Sequence, residues 1–133
     1  MTTTNCVYDT SALVAVLRNE PGADKVQRHL IVGDGCMHAV NMGEFLYTIS
    51  RRLPERFTPE SASIWLETSA IRPSEIITRT FLVLTARIRR ASPALSFGDG
   101  VAVALAASLG VPVLTTEKAF AKASEFARVE LIR

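Results

Sequence analysis

Four acidic residues are the strongest chemical feature of the sequence. Asp9 and Glu117 directly follow short apolar segments that are typical of β-strands, whereas Glu44 and Asp99 lie in the first turns of predicted helices. In a parallel sheet the carboxyl ends of the strands lie on one edge, where ligands bind in a crevice. We therefore expect four carboxylates that are far apart in the sequence to converge at one edge of the fold.

Such a cluster needs a compensating charge. Two carboxylates about 4 Å apart repel each other by about 1 kcal/mol in water and about 4 kcal/mol at an effective dielectric constant of 20. Oxygen ligands without a neighbouring histidine or cysteine favour Mg²⁺ or Mn²⁺ over Zn²⁺. An ion of this kind activates water and neutralises charge on a phosphodiester under attack. The cluster therefore predicts metal-dependent phosphodiester hydrolysis.

Helix capping is the competing explanation for these acids. Two of them fit a capping residue followed three positions later by an acid, in the pairs Asn41-x-x-Glu44 and Ser96-x-x-Asp99. Glu117 also fits a first-turn acid of a helix. Asp9 fits this explanation least, because a carboxylate that ends an apolar strand is unfavourable unless something binds it. Capping alone does not explain why all four acids belong to the same edge.

The elements that must position these acids alternate along the chain. The apolar periodicity and the Gly, Pro and Ser positions predict strands at 6–8, 36–40, near 71, 111–115 and 129–132. They predict helices at 11–18, 23–32, 41–52, from 58 onwards, 74–90, 99–109 and 117–126. This alternation is typical of an α/β fold with a mainly parallel central sheet flanked by helices. We find no repeat and no linker, so residues 1–133 are predicted to form one domain.

Composition excludes several other classes of protein. The chain has 133 residues, 48% of them hydrophobic, which is enough for a core without disulfides. Cys6 and Cys36 lie in apolar stretches and lack zinc-ligand spacing, so we expect reduced core thiols. His29 and His38 have no partner at ligand spacing either. No segment reaches the ~18 apolar residues of a membrane span, and the first ten residues lack the features of an export signal. We expect a cytoplasmic protein without a membrane segment.

The net charge of +2 does not by itself indicate a nucleic-acid binder. Arginine is concentrated after residue 50, with adjacent pairs at Arg51–Arg52 and Arg89–Arg90. The planar guanidinium group can bond two phosphate oxygens at once, although solvated helix faces are rich in arginine too. We expect lysine or arginine around the crevice to hold a phosphate backbone.

Four motifs, in order, resemble a known family. They are VYDTSAL at 7–13, NMGEF at 41–45, LSFGDG at 95–100 and VLTTEKAF at 113–120. In these motifs and their spacing the chain resembles the PIN-domain ribonucleases, in particular the VapC-type toxins of bacterial toxin–antitoxin pairs. The resemblance implies an endoribonuclease that needs Mg²⁺ or Mn²⁺, a homodimer, and an antitoxin protein that blocks the active site.

The resemblance also assigns roles to residues of this chain. Asp9, Glu44 and Asp99 match the family's three central acids, whereas Ser11 and Thr115 match its accessory hydroxyl positions. The fourth acid is usually aspartate in the family, and here it is Glu117, which is one methylene longer. We therefore expect Asp9, Glu44 and Asp99 to bind the metal, with Glu117 completing the site or orienting a water molecule.

Other functions are also considered. A catalytically inactive PIN-like module that binds RNA or protein is the main alternative, but such a module is expected to have lost central acids, which this chain keeps. Aspartyl-phosphate phosphatases carry a second aspartate two residues after the first, where this chain has Ser11. An apolar stripe of Phe45, Leu46 and Ile49, with Trp65, is predicted to form core and, in part, a groove for the antitoxin or a dimer contact.

Overall fold

A five-stranded parallel sheet forms the centre of the protein in a computed structural model that describes residues 3–133. Its strands are β1 (Cys6–Tyr8), β2 (Gly35–His38), β3 (Arg72–Ser74), β4 (Val113–Thr115) and β5 (Val129–Leu131). They lie in the order β3-β2-β1-β4-β5, and each neighbouring pair is parallel. The predicted α/β fold with a parallel central sheet is confirmed.

Helices cover both faces of this sheet. They are α1 (Thr10–Leu17), α2 (Ala23–Val32), α3 (Ala39–Arg52), α4 (Pro59–Thr68), α5 (Arg79–Ala91) and α6 (Phe97–Leu109), followed by a 3₁₀ helix at Lys118–Ala123. Successive strand residues point to opposite faces, so Cys6 and Tyr8 join one apolar core while Val7 joins the other. Strands buried on both faces need nearly continuous apolar sequence, which explains the short runs of apolar residues in β1 and β4.

The second strand ends earlier than predicted, with consequences for the site. Ala39 and Val40 begin α3 instead of extending the strand, because the Nδ1 atom of His38 accepts a hydrogen bond from the Val40 backbone N–H at 3.0 Å. The Nε2 atom of His38 bonds the Ile76 carbonyl oxygen at 2.9 Å. His38 is therefore the N-cap of α3, and the prediction that Asn41 caps this helix is wrong. Glu44 lies in the second turn, so capping does not account for it.

Two other helix boundaries also differ from the predictions. Helix α5 begins at Arg79 and not near residue 74, because residues 72–74 pair with β2 and the Thr78 hydroxyl accepts a hydrogen bond from the Phe81 N–H at 3.2 Å. The helix predicted at 117–126 is a short 3₁₀ helix. The capping start at Thr58 is confirmed, since its hydroxyl accepts the Ser61 N–H.

The apolar stripe expected to form a groove belongs largely to the core. Phe45 and Ile49 are completely buried, and the Trp65 ring packs 5.5 Å from the Phe45 ring. On α4 the buried face contains Ala62 and Leu66, whereas Ile64 is 60% exposed. The core explanation therefore holds for Phe45 and Ile49, and they are not available to a partner.

None of the helices within residues 3–133 combines the length and the apolar character that a membrane span requires.

Candidate active site

Asp9 lies where β1 ends and α1 begins, and its side chain is only 2% exposed. One carboxylate oxygen, Oδ2, accepts hydrogen bonds from the Ser11 hydroxyl at 2.7 Å and the Thr115 hydroxyl at 3.0 Å. Both hydroxyls belong to residues that the family resemblance assigns to accessory positions. A buried carboxylate is stable only with such partners, so its orientation is fixed by the start of α1 and the end of β4.

The two hydroxyls also bind the backbone after β4. The Ser11 hydroxyl accepts the Thr116 N–H at 3.0 Å, and the Thr115 hydroxyl accepts the Glu117 N–H at 3.0 Å. The hydroxyl oxygens themselves lie 3.2 Å apart. This network holds the segment that carries Glu117 against Asp9, so the two acids have a fixed spatial relationship.

Asp99 lies in the first turn of α6 and forms the predicted cap. The Ser96 N–H donates to its Oδ2 at 3.0 Å, while the Asp99 N–H donates to the Ser96 hydroxyl at 3.1 Å. This reciprocal pair gives two backbone N–H groups at the start of the helix a hydrogen-bond acceptor. The cap also sets the position of the carboxylate, because Asp99 lines the same cleft as Asp9. Capping and a place in the site are therefore compatible here.

Glu44 is positioned by the side-chain amide of Asn41, a residue that was expected to cap α3. The Asn41 side-chain NH₂ group donates to the Glu44 Oε1 atom at 2.9 Å and to the Gly98 carbonyl oxygen at 2.9 Å. Thr10 adds a longer hydroxyl bond to the same Oε1 atom at 3.4 Å. Asn41 is completely buried, and its Oδ1 atom has no hydrogen-bond partner among the residues that the structure describes. Its amide joins α3 to the start of α6.

The position of the Glu44 carboxylate depends on a glycine in α6. A Cβ atom at Gly98 would overlap the Glu44 carboxylate, so a larger residue there would force that carboxylate to move. The sequence shows a glycine at position 98 but not why it is needed there. The close approach of the Glu44 carboxylate to Gly98 depends on how α3 packs against α6. The role of Asn41 was also missed, although its i, i+3 relation to Glu44 was a usable signal.

The four predicted acids line one cleft of about 420 Å³, which we call the acidic cleft. Carboxylate oxygens of three of them lie within 4.8 Å of one another, and these three acids are Asp9, Asp99 and Glu117. Glu44 lines the cleft but lies outside this trio. The longer side chain of Glu117 thus still reaches the other two acids. Further residues at the cleft are Glu20, Thr48, Arg52 and Arg133.

Burial and neighbouring negative charge raise the pKa values of two of these groups. Burial raises the pKa of Asp9 from 3.8 to about 6; the charge of Asp99 adds to this rise, while the Ser11 and Thr115 hydrogen bonds oppose it. Partial burial, together with the charges of Asp9, Asp99 and Glu44, raises the pKa of Glu117 from 4.5 to about 7. Such carboxyls favour either a proton or a cation.

A hard divalent cation fits this donor set. The cleft offers carboxylate and hydroxyl oxygens, and neither histidine nor cysteine is among the described residues that line it. Mg²⁺ and Mn²⁺ prefer such oxygens. A cation would stabilise the ionised form of both carboxyl groups, against the burial and the repulsion that raise their pKa values. Asp9, Asp99 and Glu117 are close enough to share one ion, and Glu44 lies beside them.

A second mixed cluster has a structural explanation. Cys6, His29 and Asp34 also bring possible ligand atoms within 4.8 Å of one another. However, Asp34 already accepts hydrogen bonds from Asn5 and from the His29 ring, both at 2.9 Å. Burial raises the pKa of the Cys6 thiol to about 12, which favours its protonated form. We assign this cluster to fold stability, in agreement with the structural role expected for His29.

Comparisons with known proteins give the same fold. A family model of the PIN domain matches residues 6–125. The structure is similar to DNA-bound VapBC from Salmonella typhimurium, with a TM-score of 0.71, 18% identity, and coverage of 96% of this chain and 98% of that chain. It is similar to FitAcB from Neisseria gonorrhoeae, with a TM-score of 0.67, 20% identity, and coverage of 93% and 95%. No curated protein matches the sequence.

Proposed function

The chain belongs to the PIN-domain family, and from this we propose that it is a divalent-metal-dependent endoribonuclease, acting as the toxin of a toxin–antitoxin pair. PIN domains are generally nucleases. The observation that carries the proposal is the convergence of Asp9, Asp99 and Glu117 in one cleft, with Glu44 beside them. An inactive binding module would have no need for four carboxylates that repel one another.

In this proposal Asp9, Glu44 and Asp99 hold Mg²⁺ or Mn²⁺, and Glu117 completes the site. When bound, the ion supplies positive charge for a phosphate and lowers the pKa of water. Ser11 and Thr115 fix the Asp9 carboxylate through its Oδ2 atom, which leaves the other oxygen for ligation. Asn41 does the same for Glu44 through Oε1.

Glu117 is suited to orient the attacking water and to accept its proton. Without a cation, partial burial and the neighbouring acids raise the pKa of Glu117 to about 7. A bound cation would lower this pKa, so that Glu117 is ionised at neutral pH and can accept a proton. The water oxygen then forms a bond to phosphorus while the bond from phosphorus to the leaving oxygen breaks, and the leaving oxygen takes up a proton from solvent. The proton that Glu117 accepts returns to solvent.

The proposed partners are an antitoxin protein and a second copy of the chain, with RNA as substrate in the cytoplasm. Similarity to the DNA-bound VapBC structure supports the antitoxin. A mainly apolar groove of about 350 Å³ between α3 and α4, lined by Met42, Leu46, Leu66 and Pro73, suits an apolar peptide segment. Helix α6 packs against both α3 and α5. Exposed apolar side chains on these three helices suit a dimer contact; they are Tyr47, Leu82, Val83 and Phe97.

Incubation of the purified protein with RNA tests the activity directly. We expect cleavage in Mg²⁺ or Mn²⁺, none in EDTA, and none by a Glu44→Gln variant purified in parallel. The variant controls for contaminating nucleases, since it should copurify with the same impurities. Intact RNA in both metals, from protein shown to be folded and free of antitoxin, would favour the inactive module.

A further inference from the structure

The acidic cleft contains few positive charges, although a polyanionic strand has to enter it. Within the part of the chain that the structure describes, the cations that line it are Arg52 and Arg133. The Arg133 guanidinium is bound to Glu20, with 2.8 Å between the Nη1 and Oε1 atoms. Arg52 is exposed and takes part in none of the ion pairs formed among residues 3–133. Arg52 is thus the cation at the cleft that remains available to a ligand.

Arg52 also has a defined place relative to the acids. Glu44, Thr48 and Arg52 follow one another at intervals of four residues along α3, so they share one helix face. All three line the acidic cleft. With a rise of 1.5 Å per residue, the backbone of Arg52 lies roughly 12 Å along the helix axis from that of Glu44. Arg52 therefore follows Glu44 by a little over two helical turns on the face that lines the cleft.

We propose that Arg52 binds a phosphate of the RNA strand that flanks the phosphate being cleaved, so that the strand runs along α3 from Glu44 past Thr48 to Arg52. The inference rests on the proposed function and specifies how that site holds its substrate. The planar guanidinium group bonds two phosphate oxygens at once. In the proposed function the reacting phosphate lies at the cluster of acids, of which Glu44 belongs to the same face of α3 as Arg52.

Helix α3 itself provides a matched control. Arg51 occupies the same last turn and has the same charge, but its guanidinium lies over the Tyr47 ring, 5.6 Å from the ring centroid, and it is not part of the cleft lining. Both arginines interact favourably with the carbonyl end of the helix. Arg51→Ala and Arg52→Ala therefore remove the same charge from the same end of the helix. Arg51→Ala also removes the contact with the Tyr47 ring, whereas Arg52→Ala removes the contact with the cleft.

Single-turnover cleavage of a labelled single-stranded RNA oligonucleotide in Mn²⁺ separates binding from chemistry. For Arg52→Ala we expect the half-saturating enzyme concentration to rise about tenfold, the magnitude of one charge-assisted hydrogen bond. The maximal rate should stay within about twofold of wild type, and Arg51→Ala should behave like wild type in both quantities. The slope of log affinity against log salt should decrease by about 0.7 for Arg52→Ala alone, as for one lost phosphate contact.

Neutral phosphate substitution in the RNA locates the contact. Each oligonucleotide carries one uncharged methylphosphonate, placed at successive positions, and should bind the wild-type protein less tightly than unmodified RNA does. At the flanking position that Arg52 contacts, the Arg52→Ala variant should bind the modified RNA as tightly as the wild-type protein does. Equal half-saturation by the Arg51 and Arg52 variants would overturn the inference while leaving the nuclease function intact. If the wild-type protein cleaves no RNA, the proposed function fails, but binding measured by fluorescence anisotropy still tests Arg52 with the same variants.

Discussion

Replacement of Asp9 by asparagine tests whether the acidic cleft is built for a cation. The side chains have the same shape, and an asparagine carbonyl oxygen can still accept the hydroxyls of Ser11 and Thr115. The change therefore removes one negative charge with little disturbance of packing. In the absence of metal that charge is repelled and buried, so its loss should stabilise the fold.

The magnitude follows from the raised pKa. A rise from 3.8 to about 6 corresponds to roughly 3 kcal/mol. Below pH 4 Asp9 is protonated in both the folded and the unfolded chain, and there is no penalty. Between pH 4 and 6 the unfolded chain ionises first, so the free energy of unfolding of the metal-free wild type falls. Above pH 6 the full penalty is present.

We expect metal-free Asp9→Asn to be more stable than wild type by about 1–2 kcal/mol at pH 7.5, because the new amide needs an acceptor and offsets part of the gain. Urea unfolding in EDTA at several pH values measures this difference, which should shrink towards pH 4. Saturating Mn²⁺ should reverse the order, since a ligand at 100 times its dissociation constant stabilises wild type by about 2.7 kcal/mol. RNA cleavage should be lost.

Asp24→Asn is the matched control, because Asp24 is an exposed acid in the first turn of α2, outside the acidic cleft. It should lose a small helix-dipole stabilisation and keep cleavage. An Asp9→Asn protein that is less stable than wild type in EDTA from pH 5 to 8 would refute the reasoning. It would mean that Asp9 is satisfied by its hydrogen bonds and does not require a cation.

Three further substitutions and one metal experiment test the rest of the site. Glu44→Gln should keep its bond from Asn41 and leave the melting temperature nearly unchanged, while cleavage falls by orders of magnitude; wild-type cleavage would remove Glu44 from the site. Gly98→Ala should leave stability equal or up to about 1 kcal/mol higher through helix propensity, yet reduce cleavage at least tenfold by displacing the Glu44 carboxylate. Asn41→Ala should cost about 1–3 kcal/mol in urea unfolding and lower metal affinity, measured by Mn²⁺ titration; unchanged affinity would contradict its positioning role. Activity removed by EDTA should return with Mn²⁺ or Mg²⁺ but poorly with Ca²⁺, whose looser shell orients water less strictly.

The sequence predicted the elements of the fold better than their boundaries. Strand β1 and helix α2 have the predicted limits, because a short apolar run before Asp9 and the glycines at 22 and 33 leave few alternatives. The start of α3 was misplaced by two residues. Its cap is a histidine side chain, and histidine is not among the residues that usually mark a helix start. A boundary set by tertiary contact, such as that between His38 and the Ile76 carbonyl, leaves no local signal.

The acids themselves could be found from the sequence, but the groups that hold them could not. Asp9, Asp99 and Glu117 follow from residue type and position, and they do converge. The amide bridge from Asn41 to Glu44 and Gly98 joins residues up to 57 positions apart. Such a bridge depends on how α3 packs against α6, and helix packing is set by side-chain volumes over the whole interface and not by a motif. Asparagine is a common N-cap residue, so the sequence predicted that Asn41 caps α3, whereas His38 does so.

The strand order explains why the cleft forms where it does. From β1 the chain moves to β2 and β3 on one side of the sheet, and then returns to β4 and β5 on the other side of β1. The connections that leave β1 and β4 therefore run to opposite sides of the sheet. Ligands of open parallel sheets bind in the crevice where the strand order reverses in this way. Asp9 comes from the end of β1 and Thr115 from the end of β4, so the hydroxyl bond between them spans the reversal itself. The alternation of strands and helices in the sequence predicts a parallel sheet with any of several strand orders, and the carboxylates meet only in an order that puts β1 next to β4. The convergence of the acids is thus a property of topology, and the sequence could anticipate it only by assuming a shared edge.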